Sequence, residues 1–464
     1  MINRTRNLGH RAIVIGGSVA GMLAARILID YFAEVIIVER DTLPTEPKLR
    51  QGVPQSAQPH ILLTKGYRIL LELLGEDFNI ELIQRGALTI DWAKEFYSYG
   101  EAGWLANTSK PSDLISITCS RPLLEWAIAR QIKKNNRIKF WEQHRVTELI
   151  YHRQEHRVRG ITASSLSNKE EKKLTADLIV DCSGRNSKAP QWLKNIGITA
   201  PPETTVNPHL GYATRRYKEP EGFQLPWKVM LINHAPPEHT RLGYLARIER
   251  GEWIATLGGY EADFPPIDEP GFLDFARSLR HASIYETITQ AEPISPIYAY
   301  RATTNRLRHY EKIELPYGFI VLGDAVCSLC PVYGQGMTVS ALAVLTLQKW
   351  LNRTRKSFLL SKLSSASFQQ DLAKSNSPHW NLAIAQDSRF LKTKGRVKPT
   401  LLNSLLQPYL QRLQKQATYD PEVYVSFMEI AHSLKSPLSF FSPQLLWRVF
   451  TKIDSKSKSR RIKS

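Results

Sequence analysis

The run Ala12-Ile13-Val14-Ile15 leads directly into Gly16-Gly17-Ser18-Val19-Ala20-Gly21, and this junction constrains the fold more than any other stretch of the chain. A short β-branched run suits a strand buried on both faces, as in a parallel sheet covered by helices. Met22-Leu23-Ala24-Ala25-Arg26-Ile27-Leu28 then reads as a helix, and Val35-Ile36-Ile37-Val38 as a second buried strand that ends on Glu39. Strand, glycine turn, helix, strand and terminal acid make one βαβ unit of the dinucleotide-binding kind. Gly16 permits the tight exit from the strand, Gly17 keeps bulk out of the turn, and Gly21 lets helix and strand backbones approach closely. The N–H groups at the helix start then face a pyrophosphate. Glu39, 23 residues after Gly16, is placed to accept hydrogen bonds from an adenosine ribose. Ser18 stands where the fingerprint has its second glycine; its small side chain still admits a diphosphate, and its hydroxyl can add a donor. The pattern alone leaves FAD and NAD both open.

Composition narrows the class. With 464 residues and 42% apolar content, the chain is long enough for two or three globular domains and is not a disordered polymer. Four cysteines cannot make a disulfide framework, so a reducing, cytoplasmic setting is expected. Arg4, Arg6 and Arg11 followed by an apolar stretch imitate a secretory signal, but that stretch is better explained as the strand, turn and helix above. There is no uninterrupted apolar run of about 18 residues, so a spanning helix is not expected. The formal charge of +19 allows nucleic acid, an anionic membrane or an acidic ligand as partner. No aromatic-basic recognition module accompanies it, and no nucleic-acid partner is expected.

A second motif lies far along the chain. Phe319-Ile320-Val321-Leu322 reads as a buried strand, followed by Gly323-Asp324-Ala325, by Pro331-Val332-Tyr333-Gly334-Gln335-Gly336-Met337, and by the helical run Ser340–Leu345. An Asp at a strand end can hold a polyol hydroxyl, and a glycine-rich turn onto a helix presents N–H groups to an electron-rich ring. These residues resemble the glycine–aspartate motif of class A flavoprotein monooxygenases, the para-hydroxybenzoate hydroxylase-like fold. Leu178-Ile179-Val180-Asp181-Cys182-Ser183-Gly184-Arg185 and Ser120-Arg121-Pro122-Leu123-Leu124 resemble two further segments of that family. Arg50-Gln51-Gly52-Val53-Pro54-Gln55, with His60 and Leu62-Leu63, is similar to a bacterial subgroup of polyketide epoxidases and polyprenyl-phenol hydroxylase-like proteins.

The resemblance implies FAD as cofactor, held by Gly16, Gly17, Ser18, Gly21, Glu39, Arg40, Arg50, Arg121, Asp181, Gly323, Asp324, Pro331, Gly334, Gln335, Gly336 and Met337. Two of these have another reading from the residues themselves. Asp181 can cap a turn, and Arg121 can be an ordinary surface residue, although a cation beside a positive helix end favours an anion nearby. The flavin carries the chemistry; His60 is the one candidate catalytic side chain, and a hydrogen-bonded structural histidine is its other reading. Cys327-Ser328-Leu329-Cys330 has redox or zinc spacing, but Cys119 and Cys182 stand as single residues elsewhere. Small buried thiols are the expectation, and no metal site is expected.

The fold expected is α/β: a Rossmann-like FAD-binding domain (10–75, 105–195 and 296–350) interleaved with an antiparallel-sheet substrate domain (76–104 and 196–295). C-terminal helices (351–450) and a basic tail (451–464) follow. Strand-like runs at Leu210–Thr214, Lys228–Ile232 and Trp253–Leu257 supply the sheet and Leu273–Leu279 a helix on it; Trp227, Met230, Trp253 and Tyr260 can make an apolar pocket wall, with plain sheet core as the other reading of each. In the C-terminal region Leu402, Leu405, Leu406, Tyr409, Leu410 and Leu413 recur at helical spacing, with Pro408 expected to interrupt or kink the run. The function expected is insertion of one oxygen atom from O₂ into a lipophilic polyprenyl, polyketide or aromatic small molecule, through a flavin hydroperoxide. NAD(P)H would supply electrons, directly or through a flavin reductase. An O₂-independent FAD-dependent polyprenyl reductase is the enzymatic alternative, and a nucleic-acid-binding flavoprotein the alternative of another class. A flavin-dependent halogenase shares the fold, but no Trp-x-Trp-x-x-Pro run is present. Pro437–Pro443 and Leu445–Phe450, followed by six bases and one acid, could seat peripherally on an anionic membrane.

Overall fold

The computed structural model describes residues 7–50, 53–356, 364–398 and 401–451. Gln51 and Gly52, and the basic tail from residue 452 onward, lie outside the described residues.

The buried runs assemble into a five-stranded parallel sheet. Its order is Phe319–Val321, Leu178–Asp181, Gly9–Ile15, Phe32–Val38 and Ile138–Trp141. Register matters most here. Ile15 lies opposite both Val38 and Asp181, and Asp181 lies opposite Val321. Four strands therefore end level with one another, and the segments beginning at Gly16, Glu39, Cys182 and Leu322 emerge along one edge. Ligands of open α/β sheets bind outside the carboxyl ends of the strands, where the order reverses. The helices Val19–Leu28, Gly336–Lys356 and Arg121–Lys133 cover the sheet with apolar faces and share its core. The close approach expected at Gly21 is present: a Cβ there would stand 1.8 Å from the Gly16 carbonyl oxygen.

The antiparallel half pairs Gly211–Lys218 with Glu252–Gly259, that strand with Arg241–Ile248, and Arg241–Ile248 with Val229–Ile232. Phe96–Gly100 joins parallel to Val229–Ile232, and Tyr298–Tyr300 pairs with Gly211–Lys218. Period-two alternation gives this sheet two faces. Ala213, Tyr217, Met230, Leu245, Trp253 and Leu257 turn toward the short helices Glu269–Arg277 and Ser283–Ile288. Tyr212, Leu242, Tyr244 and Ile254 turn the other way. This corrects the expected pocket wall. Trp227, Met230 and Trp253 belong to the core under those helices, on the face away from the cofactor turns, and only Tyr260 of that set packs near the second turn.

The C-terminal helices do not form a unit of their own. Ser365–Asp387 packs Phe368, Leu372 and Trp380 into the cofactor-domain core. Leu401–Gln416, Pro421–Ala431 and Pro443–Thr451 instead bury Leu413, Tyr424, Met428 and Val449 against Trp92, Phe96, Val229 and Tyr244 of the other half. Pro408 lies within a continuous helix rather than ending it, as does Pro378 in Ser365–Asp387. No helix among the described residues is long and apolar enough to cross a membrane.

Candidate cofactor site

The first turn is shaped by backbone sterics. Gly16 has φ +100°, and a Cβ on it would meet the Cys182 carbonyl oxygen at 2.7 Å, so only glycine fits between the two strand exits. Gly17 donates its N–H to Glu39 Oε2 at 2.6 Å, and Asp41 N–H donates to Glu39 Oε1 at 3.0 Å. The acid expected at the ribose is thus buried and tied to the turn that would carry the diphosphate. Arg40 follows it as an exposed side chain, 3.8 Å from Asp41.

Two arginines converge on this turn from distant segments. Arg121 Nη2 donates to Ser18 Oγ at 3.0 Å, and its Nε donates to Glu125 at 3.0 Å, one helical turn on. Nη1 of Arg121 has no protein acceptor among the described residues. Ser18 Oγ accepts here, and its own O–H remains able to donate. Arg50 pairs with Glu125, with Asp41 at 3.2 Å and with Glu39 at 3.4 Å. These three acids hold its guanidinium charged, outweighing burial, yet its Nε is buried without a partner. Glu125, which no motif marked, is the hinge between the two arginines.

The second turn is less satisfied by its own atoms. Gly323 (φ +67°) sits where a Cβ would lie 3.1 Å from Ala20, so both turns press together. Burial raises the Asp324 carboxyl, opposed by the charges of Arg185, Arg121 and Arg306. No hydrogen-bond donor reaches its carboxylate among the described residues. Pro331–Tyr333 forms a short turn, Gly334 (φ +63°) packs against Ile61, and Gly336 opens the next helix with nothing within 4 Å of its Cβ direction. Met337 is buried beneath that helix start. An unpartnered carboxylate, an open helix N-terminus, a glycine cradle and a free guanidinium nitrogen suit a ligand that is anionic at one end and rich in hydroxyls and ring acceptors at the other. FAD fits this set.

Asp181 departs from the resemblance. It is fully buried, accepts from Ser183 N–H at 2.9 Å and from Ser187 Oγ at 2.5 Å, and shapes the turn that meets Gly16 rather than facing the cleft. Arg185 of the same segment ties down the second turn by donating to the Thr304 and Leu329 carbonyls at 2.6 and 3.4 Å. The four cysteines are free and buried; burial pushes the Cys327 thiol up to about 12, and burial with the charge of Asp387 raises Cys330 well above the ordinary thiol value. Neither is a ready thiolate. No cluster fit for a metal ion is present among the described residues.

His60 lies between the two halves. Its Nδ1 is 2.9 Å from the Gln58 carbonyl, which can only accept, so Nδ1 carries the proton and Nε2 keeps its lone pair. Burial and the Arg121 charge drive its pKa down to about 3, so the ring is neutral. Gln58 in turn accepts from Thr214 at 2.6 Å, linking this segment to the antiparallel sheet.

Several functional neighbours come from sequence-distant positions. Asp387, at the end of Ser365–Asp387, accepts from Tyr333 at 2.5 Å, Tyr260 at 3.3 Å and Asn305 at 2.5 Å, while Asn305 Oδ1 accepts from Cys330 N–H at 2.7 Å. One carboxylate therefore grips both ends of the Cys330–Tyr333 turn. Burial raises its pKa to about 6. From the same helix, His379 meets Gln335 at 3.2 Å. The only sequence signal for Asp387 was an acid in an otherwise weakly charged helix, which is not enough to find it. A surface groove of about 740 Å³ between Thr108–Leu114 and the C-terminal helices is lined by none of these residues.

The comparisons point to the same cofactor and fold. The family model described as "FAD binding domain" matches residues 107–213, which include Arg121 and the Asp181–Arg185 turn. Protein Rv3254 of Mycobacterium tuberculosis is 30% identical over 397 residues, covering 84% of this chain and 82% of that protein. Among solved structures, the myxobacterial chondrochloren halogenase CndH aligns with TM-score 0.64 at 14% identity, covering 92% of this chain and 97% of its own. The flavin-dependent brominase Bmp2 gives 0.62 at 13%, covering 92% and 100%. PqsL of Pseudomonas aeruginosa, a probable FAD-dependent monooxygenase, gives 0.61 at 13%, covering 82% and 96%. At these identities the structures speak to fold alone. The chain therefore belongs to the same family as Protein Rv3254 and is itself an FAD-dependent flavoprotein.

Proposed function

We propose that this flavoenzyme is a monooxygenase that places one atom of O₂ into a lipophilic small molecule of the polyprenyl, polyketide or aromatic kind. The observation that carries this reading is the second turn. The open helix start at Gly336 and Asp324, whose carboxylate receives no hydrogen bond among the described residues, adjoin a sheet face bearing Tyr212, Leu242 and Tyr260, with Thr214 and Thr256 as hydroxyls 2.6 Å apart. FAD bound there would supply the redox and oxygen chemistry, which explains why the protein offers no nucleophile triad. The chain's own residues have narrower tasks. Arg121 would neutralise the diphosphate, Asp324 would accept from the polyol, and the N-terminus of Gly336–Lys356 would face the ring with unpaired N–H groups. Neutral His60 would accept a hydrogen bond at Nε2 and orient a substrate hydroxyl; at a pKa of about 3 it is a poor store for a proton. The buried aromatic face would exclude water from the reacting centre.

Electrons would come from NAD(P)H, directly or through a flavin reductase. A purified yellow protein with a flavin spectrum is the first expected result, and a colourless protein that takes up no FAD would end this reading. Turnover of candidate alkenes and phenols under ¹⁸O₂ should add one labelled oxygen to product. Product formed without O₂ would favour a reductase, and halide-dependent product a halogenase. Anaerobic bleaching by NADPH alone would indicate direct reduction.

A further inference from the structure

The C-terminal end of the molecule carries a feature that cofactor chemistry does not use. In Pro443–Thr451, Leu445 and Val449 are buried in the domain core, whereas Trp447 and Phe450 are 59% and 51% exposed. At 100° per residue, Trp447 points directly away from the Leu445–Val449 side. The preceding turn, Pro437–Phe441, adds Leu438 at 77% and Phe441 at 37% exposed. Four large apolar side chains thus reach solvent within 13 residues, while elsewhere among the described residues such side chains come in ones and twos.

This segment is firmly anchored. Arg448 pairs with Asp420 at 2.9 Å and with Glu422, Arg412 donates to the Val449 carbonyl at 3.0 Å, and Tyr409 OH donates to the Phe440 carbonyl. The exposed aromatics are held outward by a fixed scaffold, so their exposure is not fraying.

We infer that this face docks on an anionic lipid bilayer. An apolar ridge alone would not choose its partner. The sequence that follows does: Lys452, Lys456, Lys458, Arg460, Arg461 and Lys463 stand against the single acid Asp454. Each such base near an anionic leaflet contributes on the order of 1 kcal/mol, and Trp and Leu side chains enter the headgroup boundary with favourable burial. A second copy of the chain is the rival occupant. Two copies meeting here would bring two basic segments together in a protein of net charge +19, which opposes that pairing. The inference stands independently of the oxygenase reading, although a surface-seated enzyme would meet lipophilic substrates where they concentrate.

Flotation of the full chain with vesicles of phosphatidylcholine, alone or mixed with phosphatidylglycerol, tests this. Binding should be at least about 10-fold stronger on the anionic vesicles and should weaken as NaCl rises. The double variant Trp447→Ser/Leu438→Ser should lose about 10-fold with flavin content and melting temperature unchanged. Replacing Lys456, Lys458, Arg460 and Arg461 by Gln should abolish the preference for anionic lipid. No binding to anionic vesicles, equal binding to neutral ones, or undiminished binding by the serine variant would overturn the inference. So would a concentration-dependent dimer that Trp447→Ser/Leu438→Ser abolishes.

Discussion

The two turns that meet at Ala20 and Gly323 are built on opposite principles. The first, Gly16–Gly21, is organised by its immediate neighbourhood: Glu39 ends the adjacent strand and holds Gly17, and Ser18 receives Arg121. The second, Asp324–Gly336, leaves its acid without a donor and its helix start open, and is braced from outside by Asp387 and His379. A preformed anion seat gains from being rigid before the ligand arrives. A turn beside a reacting ring must also keep groups uncommitted, and the rigidity it lacks locally has to come from tertiary neighbours. The difference shows which substitutions act through backbone shape, which through charge, and which through a distant brace.

The largest effect should come from Gly21→Val in the first turn. Even a bare Cβ there would stand 1.8 Å from the Gly16 carbonyl oxygen, so helix and strand must separate. Loss of soluble protein, or soluble protein with no bound flavin, is expected. A variant that keeps its flavin would show that this turn is not the rigid one. Next, Arg121→Ala removes the guanidinium proposed to neutralise the diphosphate and strips Glu125 of one of its two cations. A cost of about 3 kcal/mol, near 100-fold in FAD affinity, is expected from titrating the apoprotein.

Asp387→Asn tests the external brace. Asn305 cannot turn its amide round, because its Oδ1 already holds Cys330 N–H, so the new Oδ1 must face Asn305. The new Nδ2 then faces the Tyr333 and Tyr260 hydroxyls, which must turn from donating to accepting. FAD affinity should fall about 10-fold, with an altered flavin spectrum. The pH dependence has a definite sign. Burial raises the Asp387 carboxyl from 3.8 to about 6, so the folded chain keeps a proton that the unfolded chain releases. Its stabilising contribution is full below about pH 4 and is lost as pH rises through about 6. Melting temperatures over this window should fall with pH more steeply in the native protein than in Asp387→Asn; parallel slopes would remove Asp387 from the account.

The smallest effect on the site should follow from Cys327→Ser/Cys330→Ser. Both thiols are buried and protonated, so flavin binding should be unchanged. Stability should fall by about 1–3 kcal/mol per new buried hydroxyl that finds no partner. Loss of turnover at normal flavin content would assign the pair a redox task after all.

Legibility from sequence follows the same divide. Gly16, Gly21 and Glu39 were readable because strand, turn and helix carry fixed offsets, and Arg121 through the family resemblance; the structure packs Gly21 on Gly16, ties Glu39 to Gly17 and sets Arg121 on Ser18. Asp181 was readable as a motif but not as a role, since only the surrounding Ser183 and Ser187 show that its oxygens are taken. Trp253 and Met230 were read as pocket wall because alternation tells that a strand has two faces without telling which one meets the cofactor. Asp387, Glu125 and His379 had no motif to mark them.

The sequence by itself determined the α/β class and the glycine turns, because these depend on backbone sterics and short-range spacing, and its resemblance to a flavoprotein family pointed to FAD. Tertiary structure decided the rest. It chose which sheet face turns to the cofactor, divided the C-terminal helices between two cores, and set Asp387 against Tyr333 across 54 residues of chain. Such pairings depend on how packed surfaces fit together in space, and no local period or propensity records that fit.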